Sequence, residues 1–72
     1  MDKNGIGTNA GKVWMLLSDN SRCTYDDLKK KSGLNDMELS SAIGWLARED
    51  KIEFETAQGD SFLFLGVNVY IG

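Results

Sequence analysis

Apolar residues recur along this chain at two spacings, one typical of amphipathic helices and the other of strands. A spacing of i, i+3, i+4 and i+7 begins after Thr8 and predicts a first helix over residues 8–19, with Thr8 or Asn9 as its cap. The same spacing returns later and predicts a further helix over residues 36–49. The inward-facing residues of these two helices are Ala10, Val13, Trp14, Leu17, Leu39, Ala42, Ile43 and Leu46.

Between these two stripes, polar residues at both ends of one segment predict a short helix over residues 25–32. The Thr24 hydroxyl can accept a hydrogen bond from the backbone near Asp27, and Gly33 suits the left-handed conformation that follows a helix. Asn35 gives the next helix a similar start. Two helices joined by so short a turn form a helix-turn-helix. The stretch RCTY before them has room for only a very short extended piece.

The last third of the chain alternates as a β-hairpin does. In the strand 51–56, Ile52 and Phe54 face the core while the charged residues between them face solvent. A turn over AQGDS leads to a second strand, 61–66, which is apolar on both faces, and an extended segment, 67–71, follows. The sequence therefore predicts one α+β domain over residues 1–72, with three helices, a hairpin and a C-terminal extended segment.

Three segments, TNAGKVWMLL, YDDLKKKSGL and AIGWLAREDKIEF, resemble a family of very small bacterial winged helix-turn-helix proteins of uncharacterised function. The match is carried by Leu46, Arg48, Glu49, Lys51 and Ile52, a string common where a recognition helix joins its wing. The resemblance implies that the hairpin is the wing of a winged helix. Such domains serve both as DNA readers and as protein-docking modules, so the fold leaves both roles open.

In winged helices that read DNA, the outward face of the third helix enters the major groove and the end of the second helix contacts phosphates. The resemblance therefore implies a set of nucleic-acid contacts: Lys29, Lys30, Lys31, Ser40, Ser41 and Arg48. The lysines have a second explanation, as a solvated helix end that matches the helix dipole. Arg48 could read guanine or pair with neighbouring acids.

The charge balance argues against ordinary DNA reading. The chain has a formal net charge of -3, and the wing residues 49–60 carry five acidic residues against one lysine, Lys51. Proteins that bind phosphate backbones usually present a basic face. One prediction is therefore a DNA-binding or transcription-associated winged helix. The other is a protein-interaction module that keeps the fold and does not bind DNA.

Apolar surface beyond what one small domain can cover predicts a homodimer. Trp45 lies at the flank of the inward stripe of the third helix, where it could fill either the core or an interface. The second wing strand needs a cover on its outer face, supplied by the chain's own tail or by a second subunit. The predicted interface consists of Trp45, Leu63, Leu65, Val67, Val69, Tyr70 and Ile71.

Little in the sequence favours catalysis, a cofactor or a metal. Cys23 is the sole cysteine and the chain has no histidine, so neither an internal disulfide nor a Cys/His zinc site is expected. The thiol also has no histidine to activate it. We predict a cytoplasmic protein that is not an enzyme and has no cofactor. The apolar run VWMLL is too short to span a bilayer, so no membrane partner is predicted.

Overall fold

The computed structural model describes residues 2–66, and the order of the elements in this range confirms the predicted α+β architecture. Helix α1 spans Lys3–Asp19, α2 spans Tyr25–Ser32 and α3 spans Asp36–Arg48; strand β1 spans Cys23–Thr24, β2 spans Ile52–Ala57 and β3 spans Asp60–Leu65. The predicted extended segment 67–71, with Val67, Val69, Tyr70 and Ile71, lies outside the described residues.

Helix α1 begins at Lys3, so the predicted start at Thr8 and its cap are wrong. The Asp2 side chain accepts a hydrogen bond of 2.7 Å from the backbone N–H of Gly5 and caps the helix. The Thr8 hydroxyl instead donates to the carbonyl oxygen of Asn4, 2.9 Å away, inside the helix. Glycines cost a helix roughly 1 kcal/mol each, and the packing of α1 against α3 offsets that cost.

Both later helices lie where the sequence places them, because side chains at their starts satisfy free backbone groups. Thr24 and Asn35 each form a capping box with the acidic residue three positions later. Gly33 follows α2 with a φ of 72°, and its N–H donates to the carbonyl oxygen of Lys29 at 3.1 Å. These contacts define the short turn that orients α3 against α2.

The three strands form an antiparallel sheet in the order β1-β3-β2. The turn between β2 and β3 consists of Gln58 and Gly59, with φ values of 55° and 82°, as a type I′ hairpin requires. Strand β1 pairs with β3 at Cys23↔Leu63 and Thr24↔Phe62, which confirms the short extended piece before α2. Strand β3 is therefore the central strand, and β1 and β2 are the two edges of the sheet in the described part of the chain.

The core lies between the three helices and one face of the sheet. The inward stripes predicted for α1 and α3 are confirmed, with Trp14 and Ile43 half-buried at their margins. The buried residues are Ala10, Val13, Leu17, Cys23, Leu28, Leu34, Leu39, Ala42, Leu46, Ile52 and Leu63.

Phe54 is 58% exposed, so the prediction that it joins the core is wrong. It shares a strand face with Ile52, which is 3% exposed, because alternate residues of a strand point to the same side. The helices cover the sheet at Ile52 and leave it uncovered two residues further on. The hairpin thus extends past the helical layer as a wing and presents Phe54 to solvent.

Candidate nucleic-acid interface

The face of α3 that points away from the core consists mainly of small and polar residues. Met37, Ser40, Gly44 and Arg48 are exposed, and Ser41 is half-buried. A Cβ built on Gly44 would meet no atom within 4 Å. The backbone of α3 is therefore open to close approach by a partner at this point.

A shallow groove of about 370 Å³ separates α3 from the wing. Its walls offer apolar surface together with serine hydroxyls, which can contact the methyl group of thymine and the hydrogen-bonding edges of bases. Sequence reasoning found Ser40 here and missed Phe54 and Tyr25 as parts of the same site. The lining residues are Tyr25, Ser40, Ile43, Gly44, Phe54, Ser61 and Leu63.

An ion pair joins the end of α2 to the start of α3. Lys29 Nζ lies 2.9 Å from Asp36 Oδ1, and the Tyr25 hydroxyl donates to the same oxygen at 2.8 Å. The hydrogen bond from Lys29 lowers the pKa of Asp36 most, and the hydrogen bond from Tyr25 lowers it further. The contact with Asp36 in turn raises the pKa of Lys29. The charge of Lys29, one of the predicted phosphate contacts, is thus neutralised by Asp36 within the protein.

We expect the Asp36 carboxyl to titrate below the ordinary range of aspartate. Because its folded-state pKa is lowered, the stabilisation it gives is present above the unfolded-state pKa and is lost as the pH falls through the folded-state pKa. Carboxyl-detected NMR measures the midpoint, and Tyr25→Phe should move it upwards. An unchanged midpoint in that variant would contradict the contribution of the tyrosine hydroxyl.

The other two lysines of α2 are less restrained. Lys31 Nζ donates to Asn20 Oδ1 at 3.2 Å, which leaves its charge uncompensated by that neutral partner. Lys30 is exposed and has no hydrogen bond or ion pair to the described residues. The structure therefore separates the triple lysine into one paired cation, Lys29, and two that can meet an anion.

The wing carries one neutralised acid that sequence reasoning did not find. Arg22 Nη1 lies 2.6 Å from Glu55 Oε1, and the guanidinium sits 4.2 Å from the centroid of the Phe62 ring. Both partners of this pair are about half exposed, so the pair contributes little to stability. It nevertheless reduces the charge of the wing, whose Glu53 and Asp60 remain exposed.

Three of the predicted dimer residues, Trp45, Leu63 and Leu65, lie in the described part of the chain, and they do not form one continuous exposed set. Trp45 is 39% exposed and lines a hollow between α1 and α3. The half-buried Leu65 lines a different hollow, which lies against the C-terminal part of α1 and includes Trp14. Leu63 is only 4% exposed and belongs to the core, so its side chain is not available to a second subunit in this fold. The remaining predicted interface residues lie outside the described range.

Burial raises the pKa of the Cys23 thiol above its ordinary value, an effect that the nearby Lys31 only partly opposes. The thiol is 1% exposed. Among residues 2–66, no group of three or more His, Cys, Asp or Glu side chains is placed to hold a metal ion. None of the helices in that range has the length and apolar character needed to cross a bilayer.

Residues 1–65 match the family model of the winged helix-turn-helix domain DUF2582. The chain belongs to this family. In sequence, this chain is similar to the uncharacterised protein MJ1608 of the archaeon Methanocaldococcus jannaschii, with 45% identity over 49 residues, which are 65% of this chain and 70% of that protein. The resemblance seen in the sequence is confirmed, and it extends to an archaeal protein.

Three solved structures share the fold of this DUF2582 protein. BT2368 of Bacteroides thetaiotaomicron, solved by NMR, has a TM-score of 0.81 at 34% identity and covers 99% of this chain and 84% of its own. The Zα domain of PKZ from Carassius auratus, in complex with Z-DNA, has a TM-score of 0.71 at 15% identity, over 85% and 97% of the two chains. HOP2, solved in work on its DNA recognition and protein interaction domains, has a TM-score of 0.65 at 24% identity, over 81% and 98%.

Proposed function

We propose that this protein binds DNA as a transcription-associated winged helix. Helix α3 enters a groove of the DNA, and the lysines of α2 contact the phosphate backbone of the DNA. The observation that carries the proposal is the open face of α3, where Ser40 and the bare backbone at Gly44 border the groove beside the wing. The shared fold with a Zα domain solved on Z-DNA supports a nucleic-acid role for such a scaffold.

In this proposal, phosphate contacts and base contacts come from different elements. Lys30 and Lys31 contact phosphates, with Lys29 held back by Asp36. Ser40 and Ser41 lie nearest the base edges, and Arg48 reaches the next base or phosphate from the C-terminal end of α3. The exposed acids of the wing keep the hairpin away from the phosphate backbone of the DNA. The salt dependence of binding therefore comes from the few cations of α2 that contact phosphates.

The proposal includes a homodimer in the cytoplasm, which would allow a weak module to bind two half-sites. Leu65 and Trp14 border an apolar hollow of about 540 Å³ at the end of β3, next to the point where residues 67–71 continue the chain. We propose that this region, together with residues 67–71, forms the contact between subunits. The lone thiol, Cys23, agrees with a reducing compartment.

Titration of the labelled full chain with mixed-sequence duplex DNA tests this function. We expect amide signals of α2 and α3 to shift at low salt, and the shifts to fade as salt rises.

The double substitution Lys30→Glu and Lys31→Glu should reduce the slope of the logarithm of affinity against the logarithm of salt concentration by about 2. Asp36→Asn should strengthen binding, because it releases Lys29 and removes an acid from the start of α3. Light scattering on the same samples should return the mass of two chains.

A matched control is Lys12→Glu with Lys51→Glu, which makes the same change in net charge on another face and should preserve most of the binding. Equal loss in the two double variants would show that only net charge matters. If no signal shifts at low salt, the DNA-binding proposal fails. The second candidate function, a protein-docking winged helix without DNA binding, would then stand, and the exposed acids of the wing favour it.

A further inference from the structure

A second exposed apolar surface lies between α1 and α3. It consists of two adjoining hollows of about 570 and 280 Å³ that share Trp45, and we call it the Trp45 groove. Trp45 and Met15 are 39% and 62% exposed, and Trp14 is half-buried beside them. The DNA-binding proposal uses only Arg48 of this surface.

The Trp45 groove is strongly cationic in a chain whose formal net charge is -3. Four of the eight lysine and arginine residues of the chain line it, and Glu49 is the only acid among its described lining residues. These cations do not serve the core, since all of them are exposed. They are Lys3, Lys12, Arg48 and Lys51.

The floor of the Trp45 groove has space for an inserted side chain. Gly7 and Gly11 line it, and a Cβ at either position would meet no atom within 4 Å. Glycine inside a helix is less favourable than alanine, and here it leaves the floor of the groove, on α1 opposite Trp45, without side chains. The groove thus combines apolar walls, open depth and a cationic rim.

This combination determines which kind of partner fits. A second copy paired across a two-fold axis at Trp45 would bring the same cations of both chains face to face, which is repulsive. A sugar-phosphate backbone would satisfy the cations but would leave Trp45 and Met15 without an apolar partner. An acidic segment with an apolar anchor satisfies both features, since its carboxylates meet the rim while the anchor enters beside Trp45.

We infer that the Trp45 groove docks an acidic segment of a partner protein that carries an aromatic or aliphatic anchor. Acidic residues of the segment pair with Lys12 and Lys51 on one side of Trp45 and with Lys3 and Arg48 on the other. This site shares Arg48 with the proposed DNA contacts, and its other residues are different from the DNA-facing ones. A winged helix with both sites would bring an acidic partner to DNA.

The test uses the labelled full chain and a synthetic peptide in which glutamates alternate with leucines around a central phenylalanine. The indole N–H signals of Trp14 and Trp45, the two tryptophans of the chain, report on binding. We expect a saturable shift at Trp45, and much weaker binding of a control peptide with glutamine in place of glutamate. Lys12→Glu with Lys51→Glu should weaken binding roughly tenfold.

Two further variants separate the groove from general charge attraction. Gly11→Leu should block the peptide without changing charge, because the new side chain fills the hollow that the glycine leaves. Lys30→Glu with Lys31→Glu changes net charge equally on α2 and should preserve peptide binding. The inference is overturned if Trp45 does not shift, or if the two double variants lose the same affinity. It is equally overturned if duplex DNA, or a rise in protein concentration alone, produces the Trp45 shift instead.

Discussion

Replacing Leu39 by alanine is expected to lower the free energy of unfolding by about 2–5 kcal/mol. Leu39 has 0% of its surface exposed and is among the largest fully buried side chains of the chain. Removing its branched end leaves a cavity where α3 meets the core. A domain of 72 residues is stable by roughly 4–10 kcal/mol, so this one change removes a large part of the total.

Urea denaturation followed by tryptophan fluorescence measures the loss at Leu39. Met37→Ala is the matched control, since it shortens another large apolar side chain two positions earlier on the same helix. Met37 is 66% exposed, and its loss should change stability by less than about 0.5 kcal/mol. Equal losses in both variants would mean that helix propensity, and not burial, decides the stability of α3.

The fold could be predicted where local side chains specify the backbone. Helix α2 matches the prediction over 25–32, because Thr24 and Gly33 determine its two ends through contacts within a few residues. The start of α1 could not be predicted in this way. Two glycines lower the local helix propensity there. The helix nevertheless extends back to Lys3, with Asp2 as its cap, because α1 is stabilised by tertiary packing that the local sequence does not reveal.

The exposure of Phe54 shows a different limit of the sequence. Alternation correctly assigns Phe54 and Ile52 to one face of β2, but it does not tell how far the helical layer extends along that face. The distance is set by the tertiary packing of α1 and α3. The same residue therefore changes from a predicted core member to part of the candidate interface.

The sequence pointed to Ser40 in the candidate site but not to Tyr25 or Phe54, and it did not predict the ion pairs near it. Lys29 and Asp36 meet across a turn whose direction depends on the left-handed backbone of Gly33, and Arg22 meets Glu55 from 33 positions away. No periodic pattern contains such pairs. These pairs change the charge of the candidate interface. Asp36 neutralises Lys29, a predicted phosphate contact, and Arg22 neutralises Glu55, an acid predicted to repel phosphates.

Helix α3 gives the protein two different surfaces. Ser40 and Gly44 face the groove beside the wing, and Trp45 faces α1 on the other side of the helix. Five positions along an α-helix separate Ser40 from Trp45 by about 140° of rotation, at roughly 100° per residue. A residue next to Gly44 in sequence therefore belongs to a different site, which is why Trp45 fits neither the core nor the DNA-facing surface.

Replacing Gly33 by alanine is expected to lower the free energy of unfolding by roughly 1–2 kcal/mol. Gly33 has a φ of 72°, and no atom lies within 4 Å of the position a Cβ would take. The cost therefore comes from the left-handed backbone and not from a clash. Because this turn orients α3 against α2, relaxation of the strain should also lengthen the contact between Lys29 and Asp36, visible as a rise in the pKa of Asp36 towards its ordinary value.

Two controls isolate the backbone effect at Gly33. Gly33→Asn should cost less than alanine, since asparagine adopts the left-handed conformation more readily. Gly11→Ala should act in the opposite direction and stabilise the protein by about 0.5–1 kcal/mol, because Gly11 lies inside α1 and a Cβ there meets nothing. If Gly33→Ala did not lower the urea midpoint, the turn after α2 would not depend on the positive φ of Gly33. The Lys29–Asp36 pair would then have to be positioned by the helix caps alone.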